Sequence, residues 1–181
     1  MRLIVITPQV TLPSEPQLVN GLLAGGLRTL HVRKPQASAP ELAAYVQQVA
    51  PEHRRRLVLH AVSPVPECIG LAREHGLGGV HYPERLRPSA CGRLEGLTSS
   101  AALHSLQDLD RDLGALDYVF LSPIFDSISK AGCGQRAVRT LPPSLCRRQR
   151  RVPLLLVPTG MQAPLTGRLY CSRFLAPATR S

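Results

Sequence analysis

Along residues 1–130 the apolar positions alternate between two periodicities. Short Leu-rich or β-branched runs occur at residues Leu3–Thr7, Thr29–Val32, Arg56–His60, Gly79–Tyr82, Gly96–Ser100 and Tyr118–Ser122. Their length, and their apolar character on both faces, predict buried strands of a parallel sheet. Between most of them the spacing is helical. Pro16–Ala24 reads as a helix with Ser14 as N-cap, and Pro40–Val49 as a helix behind Ser38. A third helix is predicted over Glu67–His75, stopped by Gly76. A fourth, over His104–Leu116, sets Leu106, Leu109, Leu113 and Leu116 on one face and Asp108, Asp110 and Asp112 on the other.

Strands alternating with helices argue for parallel βα units. Six strands at this spacing suit an α/β fold of the (β/α)8 TIM-barrel type, and equally an open doubly wound sheet. No GxGxxG follows the first strand, which weakens a dinucleotide-binding reading. Polar residues gather at the strand ends: His31, Arg33 and Lys34, then His60, His81, and the stretch Ser122–Ser127. In a barrel the carboxyl ends of the strands carry the active site, so this placement bears on function.

The pattern fails after Lys130. Residues Leu141–Arg151 hold a double proline and an arginine cluster. Pro153–Pro158 predicts a seventh strand bounded by prolines, and residues 161–181 give no βα unit. The expected architecture is therefore a barrel that is incomplete or irregular at its C-terminal end. Residues 1–132 form its body, and residues 133–181 an atypical Arg/Pro-rich segment.

Charge sharpens that division. The chain's net charge of +10 does not belong to the body, where 13 basic and 12 acidic side chains lie within residues 1–130. Residues 131–181 hold nine arginines and no Asp, Glu or Lys. A disordered tail, or a GC-rich gene translated in a shifted frame from near residue 132, would produce this composition together with the loss of periodicity. A nucleic-acid partner is not expected: aromatics are 4% and Trp is absent, so stacking surfaces are scarce. The N-terminus lacks the features of a signal peptide, and no apolar run approaches a membrane span. The five cysteines are scattered without a CxxC pair, which reads as reduced thiols in a cytoplasmic protein.

The densest local signal is Asp117–Lys130, a strand followed by Ser122-Pro123-Ile124-Phe125 and then Ser127, Ser129 and Lys130. It resembles the sixth-strand motif of thiamine phosphate synthases. Other pieces fall in the same order. Leu30-His31-Val32-Arg33-Lys34 is similar to that family's second-strand motif, and Gly79-Val80-His81 to its fourth. Leu103-His104 is similar to the segment after strand five, and Leu3–Pro8 fits strand one. The chain thus resembles the thiamine phosphate synthase and thiazole tautomerase family over about residues 1–132.

The resemblance implies a transferase joining hydroxymethylpyrimidine diphosphate to thiazole phosphate. Arg33, Lys34 and Lys130 would hold diphosphate, and Ser127 and Ser129 would contact phosphate. His31 would hydrogen-bond a heterocycle, with His60 and His81 beside the substrate. Thiazole tautomerisation without metal is the alternative, with His104 as the proton carrier. A non-catalytic remnant of the barrel and a basic-tail binding protein are further readings. The resemblance also implies Mg²⁺, yet its usual aspartates are replaced at His60-Ala61 and near Glu84-Arg85-Leu86. Magnesium wants hard carboxylate oxygens, which these positions do not supply. The three strand-end histidines are expected to be hydrogen-bonded, with no metal assigned to them.

Overall fold

The computed structural model describes residues 3–62, 64–86, 93–104, 108, 113 and 115–121, and the backbone of two strands at 154–156 and 170–175. Six short strands follow one another in the chain: β1 (Leu3–Ile6), β2 (Thr29–Val32), β3 (Leu57–His60), β4 (Gly79–Tyr82), β5 (Thr98–Leu103) and β6 (Tyr118–Leu121). Each pairs in parallel with the next, and together they curl into a half-barrel. Helices α1 (Glu15–Ala24), α2 (Ala39–Gln47) and α3 (Val65–Glu74) make the first three crossovers.

Two shells of apolar packing follow from the alternation of side chains along each strand. Leu30 and Val32 of β2, Leu57 and Leu59 of β3, Val80 and Tyr82 of β4 and Val119 and Leu121 of β6 join the outer core. There they meet Val19 and Leu23 of α1, Leu42, Tyr45 and Val46 of α2, and Cys68, Leu71 and Ala72 of α3. The opposite parity lines the inside, where Ile4, Ile6, Tyr118 and Phe120 make a separate small cluster.

Local chemistry fixes the element ends. Ser38 opens α2 as expected, its backbone N–H and hydroxyl both donating to Glu41 Oε2 at 2.7 Å. Ser14 makes no side-chain cap. Instead Glu15, the first helical residue, accepts the Leu12 N–H at 3.2 Å. Gly26 and Gly76, at φ 96° and 66°, turn the chain out of α1 and α3 in a conformation that favours glycine.

The structure differs from the sequence pattern in two places along the body. A 3₁₀ turn over Pro51–Arg56 leads into β3, where no helix was expected. Strand β5 begins at Thr98 and runs to Leu103, later and longer than its apolar run. The predicted helix over 104–116 lies largely outside the described residues, though Asp108, Leu113 and Leu116 are buried.

The C-terminal part departs from the eight parallel units of a (β/α)8 barrel. Strand β7 (Leu154–Leu156), expected from the proline-bounded run, continues in parallel beside β6. Strand β8 (Tyr170–Leu175), which the sequence pattern did not reveal, runs antiparallel to both β7 and β1. The strand order closes as a ring, but its last member runs against both of its neighbours.

Candidate functional site

The inside of the half-barrel is polar on one side. His31 stands between the outward-facing Leu30 and Val32, so it points inward, and His81 does the same between Val80 and Tyr82. Strand register puts His60 opposite His81, His81 opposite Ser100, and Ser100 opposite Tyr118. Four neighbouring strands thus present one continuous row of polar side chains.

His31 joins that row from β2. Its Nδ1 lies 3.0 Å from His60 Nε2, and its Nε2 lies 2.7 Å from the Tyr118 hydroxyl. His81 Nδ1 lies 2.9 Å from Ser100 Oγ. Phe120 covers two of the rings, its centroid 4.9 Å from His31 and 4.7 Å from His81. A neutral imidazole has one N–H and one lone pair, so an uncharged His31 donates one of these bonds and accepts the other.

The electrostatics agree. Burial holds the His31 pKa well below its ordinary value, with His81 adding to the effect. Burial does the same for His60, followed by His81, His31 and Arg33. His81 is pushed down to about 3, by burial first and then by Arg33. Burial also raises the Tyr118 hydroxyl, against an opposing hydrogen bond from Ser100. At neutral pH the row is therefore an array of uncharged donors and acceptors, with the half-buried Arg33 the cation acting on it. The Arg33 backbone N–H is tied to Thr7 Oγ1 at 2.9 Å, which links the ends of β1 and β2.

Lys34, one residue further on, has a different setting. It is 2% exposed, and its Nζ lies 2.7 Å from Glu15 Oε1 and 2.9 Å from Oε2. It also donates to the Pro8 carbonyl at 2.8 Å. Tyr45 donates its hydroxyl to Glu15 Oε1 at 2.7 Å and places its ring beneath the ammonium. The ammonium expected to meet diphosphate is occupied within the protein, bracing α1 and α2 against the end of β2. Burial lowers its pKa, and Glu15 opposes that shift.

His104 is exposed at the end of β5, its Nε2 3.8 Å from Glu84 Oε2. Ser127, Ser129 and Lys130 lie outside the described residues. The structure therefore brings together His31, His60, His81 and Arg33, and leaves Lys34 and His104 in other surroundings.

The magnesium implied by the family resemblance has no matching donors among the described residues. At the first expected position stand His60 and the buried Ala61. At the second, Glu84 turns toward His104, and Glu15 is consumed by Lys34 and Tyr45. Among the described residues, the group of three or more metal-ligating side chains that converges is His31, His60 and His81, without a carboxylate.

Three partners in this region were not picked out from the sequence: Ser100, Tyr118 and Glu15. Ser100 and Tyr118 carried a readable signal, because both are polar at inward-parity positions of apolar strands. Glu15 carried none, since nothing local ties it to a lysine 19 residues away.

No protein-family model matches the chain. It is 26% identical over 132 residues to the thiamine-phosphate synthase of Listeria monocytogenes serovar 1/2a, covering 69% of this chain and 61% of that one. It is 25% identical over 132 residues to the thiamine-phosphate synthase of Listeria welshimeri serovar 6b, covering 69% of this chain and 63% of that one. The chain thus spans about three fifths of the length of these curated relatives. Among solved structures, a thiamine phosphate pyrophosphorylase from Bacteroides thetaiotaomicron superposes with a TM-score of 0.57 at 28% identity, over 68% of this chain and 59% of that one. In sequence and in fold alike, the chain is similar to thiamine-phosphate synthases along about two thirds of its own length.

Proposed function

We propose that this protein acts in thiamine biosynthesis as a thiamine phosphate synthase-like transferase, in the cytoplasm, joining hydroxymethylpyrimidine diphosphate to thiazole phosphate. The observation that carries this reading is the joint likeness, in sequence and fold, to proteins of that name. Arg33 supports it, as a half-buried guanidinium just past β2 that acts electrostatically on the histidine row and can fork two phosphate oxygens. Ser127, Ser129 and Lys130 would complete the phosphate contacts, on the strength of the motif alone. His31, His60 and His81 would meet the heterocycle as neutral hydrogen-bonding groups. Lys34 would act through the Glu15 ion pair, positioning the segment that carries Arg33.

The test is formation of thiamine phosphate from the two substrates by purified full-length protein whose fold is confirmed by circular dichroism. Product is expected, and Arg33→Met is expected to lower kcat/KM by at least about tenfold, the loss of a charge-assisted bidentate contact. A folded sample that gives no product, with or without added magnesium, would overturn the reading.

One observation favours thiazole tautomerisation as a second reading. The aspartates that the resemblance expects for magnesium are replaced at both of their positions, whereas His104 faces a carboxylate, Glu84, that can orient an imidazole for proton transfer. Isomerisation of a thiazole carboxylate phosphate without metal, abolished by His104→Ala, would select it.

A further inference from the structure

The histidine row has a property beyond hydrogen bonding. One ring nitrogen from each of His31, His60 and His81 lies within 4.8 Å of the other two. The three come from consecutive strands, and two of them, His31 and His81, are 0% and 2% exposed. Histidines at such mutual distances, on a rigid sheet, form a preset trio of nitrogen donors.

We propose that His31, His60 and His81 constitute a three-histidine site for a borderline transition-metal dication, zinc before others, on the inner face of β2, β3 and β4. Tetrahedral zinc with bonds near 2.0–2.1 Å sets its nitrogen ligands about 3.3 Å apart. His31 Nδ1 and His60 Nε2 are already 3.0 Å apart, so their present bond can open into a shared metal with little movement. One nitrogen of each ring lies within 4.8 Å of the others, so no edge of the trio need contract by more than about 1.5 Å.

The surroundings have the form a metal site requires. A ligating histidine has its second nitrogen held by an outer partner, which fixes ring and tautomer. His31 offers Nδ1 toward His60, and its Nε2 is held by Tyr118. His81 Nδ1 is held by Ser100, so Nε2 is the nitrogen that bond does not use. A neutral imidazole lends a lone pair to a metal, and the rings of His31 and His81 are buried against Phe120.

Ligand chemistry decides the ion. Three imidazoles and no carboxylate suit zinc, cobalt, nickel or copper, and reject magnesium. Three neutral donors leave the dication's charge intact and one position open. That position favours an anionic oxygen, hydroxide or an oxyanion, and the nearby Arg33 favours the same charge. The site uses the three histidines that the proposed transferase would set beside its heterocycle, and its test reads metal binding alone, apart from product formation.

The experiment titrates metal-stripped full-length protein with Co²⁺, then with Zn²⁺. One Co²⁺ per chain is expected, with the intense visible absorption of four-coordinate cobalt, displaced by one equivalent of Zn²⁺ but not by excess Mg²⁺. His60→Asn should weaken binding by at least about tenfold, and His75→Gln should leave it unchanged. Should His60→Asn fail to fold, ¹⁵N-imidazole NMR of the unaltered protein gives the answer. Added Zn²⁺ must then shift the ring nitrogens of His31, His60 and His81 while those of His53, His75 and His104 stay in place. Absence of cobalt absorption, retention of binding in folded His60→Asn, or shifts confined to the other three histidines would each overturn the proposal.

Discussion

Below about pH 6.5 the unfolded chain takes up protons that His31, His60 and His81 exclude in the fold. Their folded pKa values are depressed, so their contribution to stability is whole above that pH and is lost as pH falls toward about 3, where His81 itself protonates in the fold. With a chelator present, the urea midpoint is expected to fall steadily between pH 7 and pH 4.5; a midpoint that held or rose on acidification would contradict the burial. The Glu15–Lys34 pair makes a sharper case. Glu15→Gln leaves an ammonium at 2% exposure without its counter-charge, at a cost of about 3–5 kcal/mol by denaturant unfolding. An unaltered midpoint would show that Lys34 reaches solvent. These two groups also show the limit of reading single residues from sequence. The placement of His31, His60 and His81 at strand ends was legible, because it depends only on neighbours in the chain. Whether a strand-end lysine serves a ligand or an internal carboxylate depends on which side chain a distant helix brings beside it.

At the scale of elements, parallel strands this short hold register through close backbone approach as much as through side chains. Gly79 opens β4 opposite Thr98 of β5, and a Cβ there would strike the Thr98 backbone carbonyl oxygen. Gly78 is crowded in the same way by the Arg55 carbonyl. Gly79→Ala should therefore cost about 1–3 kcal/mol as β4 and β5 are forced apart, whereas Gly70→Ala, with open space around its Cβ, should be tolerated; equal thermal midpoints for the two variants would refute this. The existence of β1 to β6 was plain from apolar runs, since a strand buried on both faces has few other ways to be written. Its ends were less so. Strand β5 carries Ser99, Ser100 and two alanines, and only pairing with β4 and β6 extends it to Leu103. The 3₁₀ turn before β3 is rich in arginine and lacks an apolar stripe, and it is held by tertiary bonds such as Arg56 to the Leu23 carbonyl at 2.7 Å.

For the whole molecule, the parallel order continues through β7, beyond the change of composition near residue 132, and only the closing strand β8 is antiparallel. If the segment is a shifted frame, the coding DNA read one base over beyond that point continues with a Gly-Gly turn of the family type; sequencing that shows no such continuation removes the idea. Strand β8 runs antiparallel to both of its neighbours, outside the parallel βα alternation that marks β1 to β6 in the sequence. The hydrogen bond between Tyr118 and His31 has a consequence for the molecule as an optical object. The chain has no Trp and only four tyrosines, so its near-ultraviolet emission is tyrosine emission alone. An excited phenol is a strong acid and surrenders its proton to a base in contact, losing its light. Tyr118 rests against an imidazole at 2.7 Å and Tyr45 against a carboxylate at 2.7 Å. The native protein should therefore be dim and the unfolded chain bright, so that folding can be followed without any added dye.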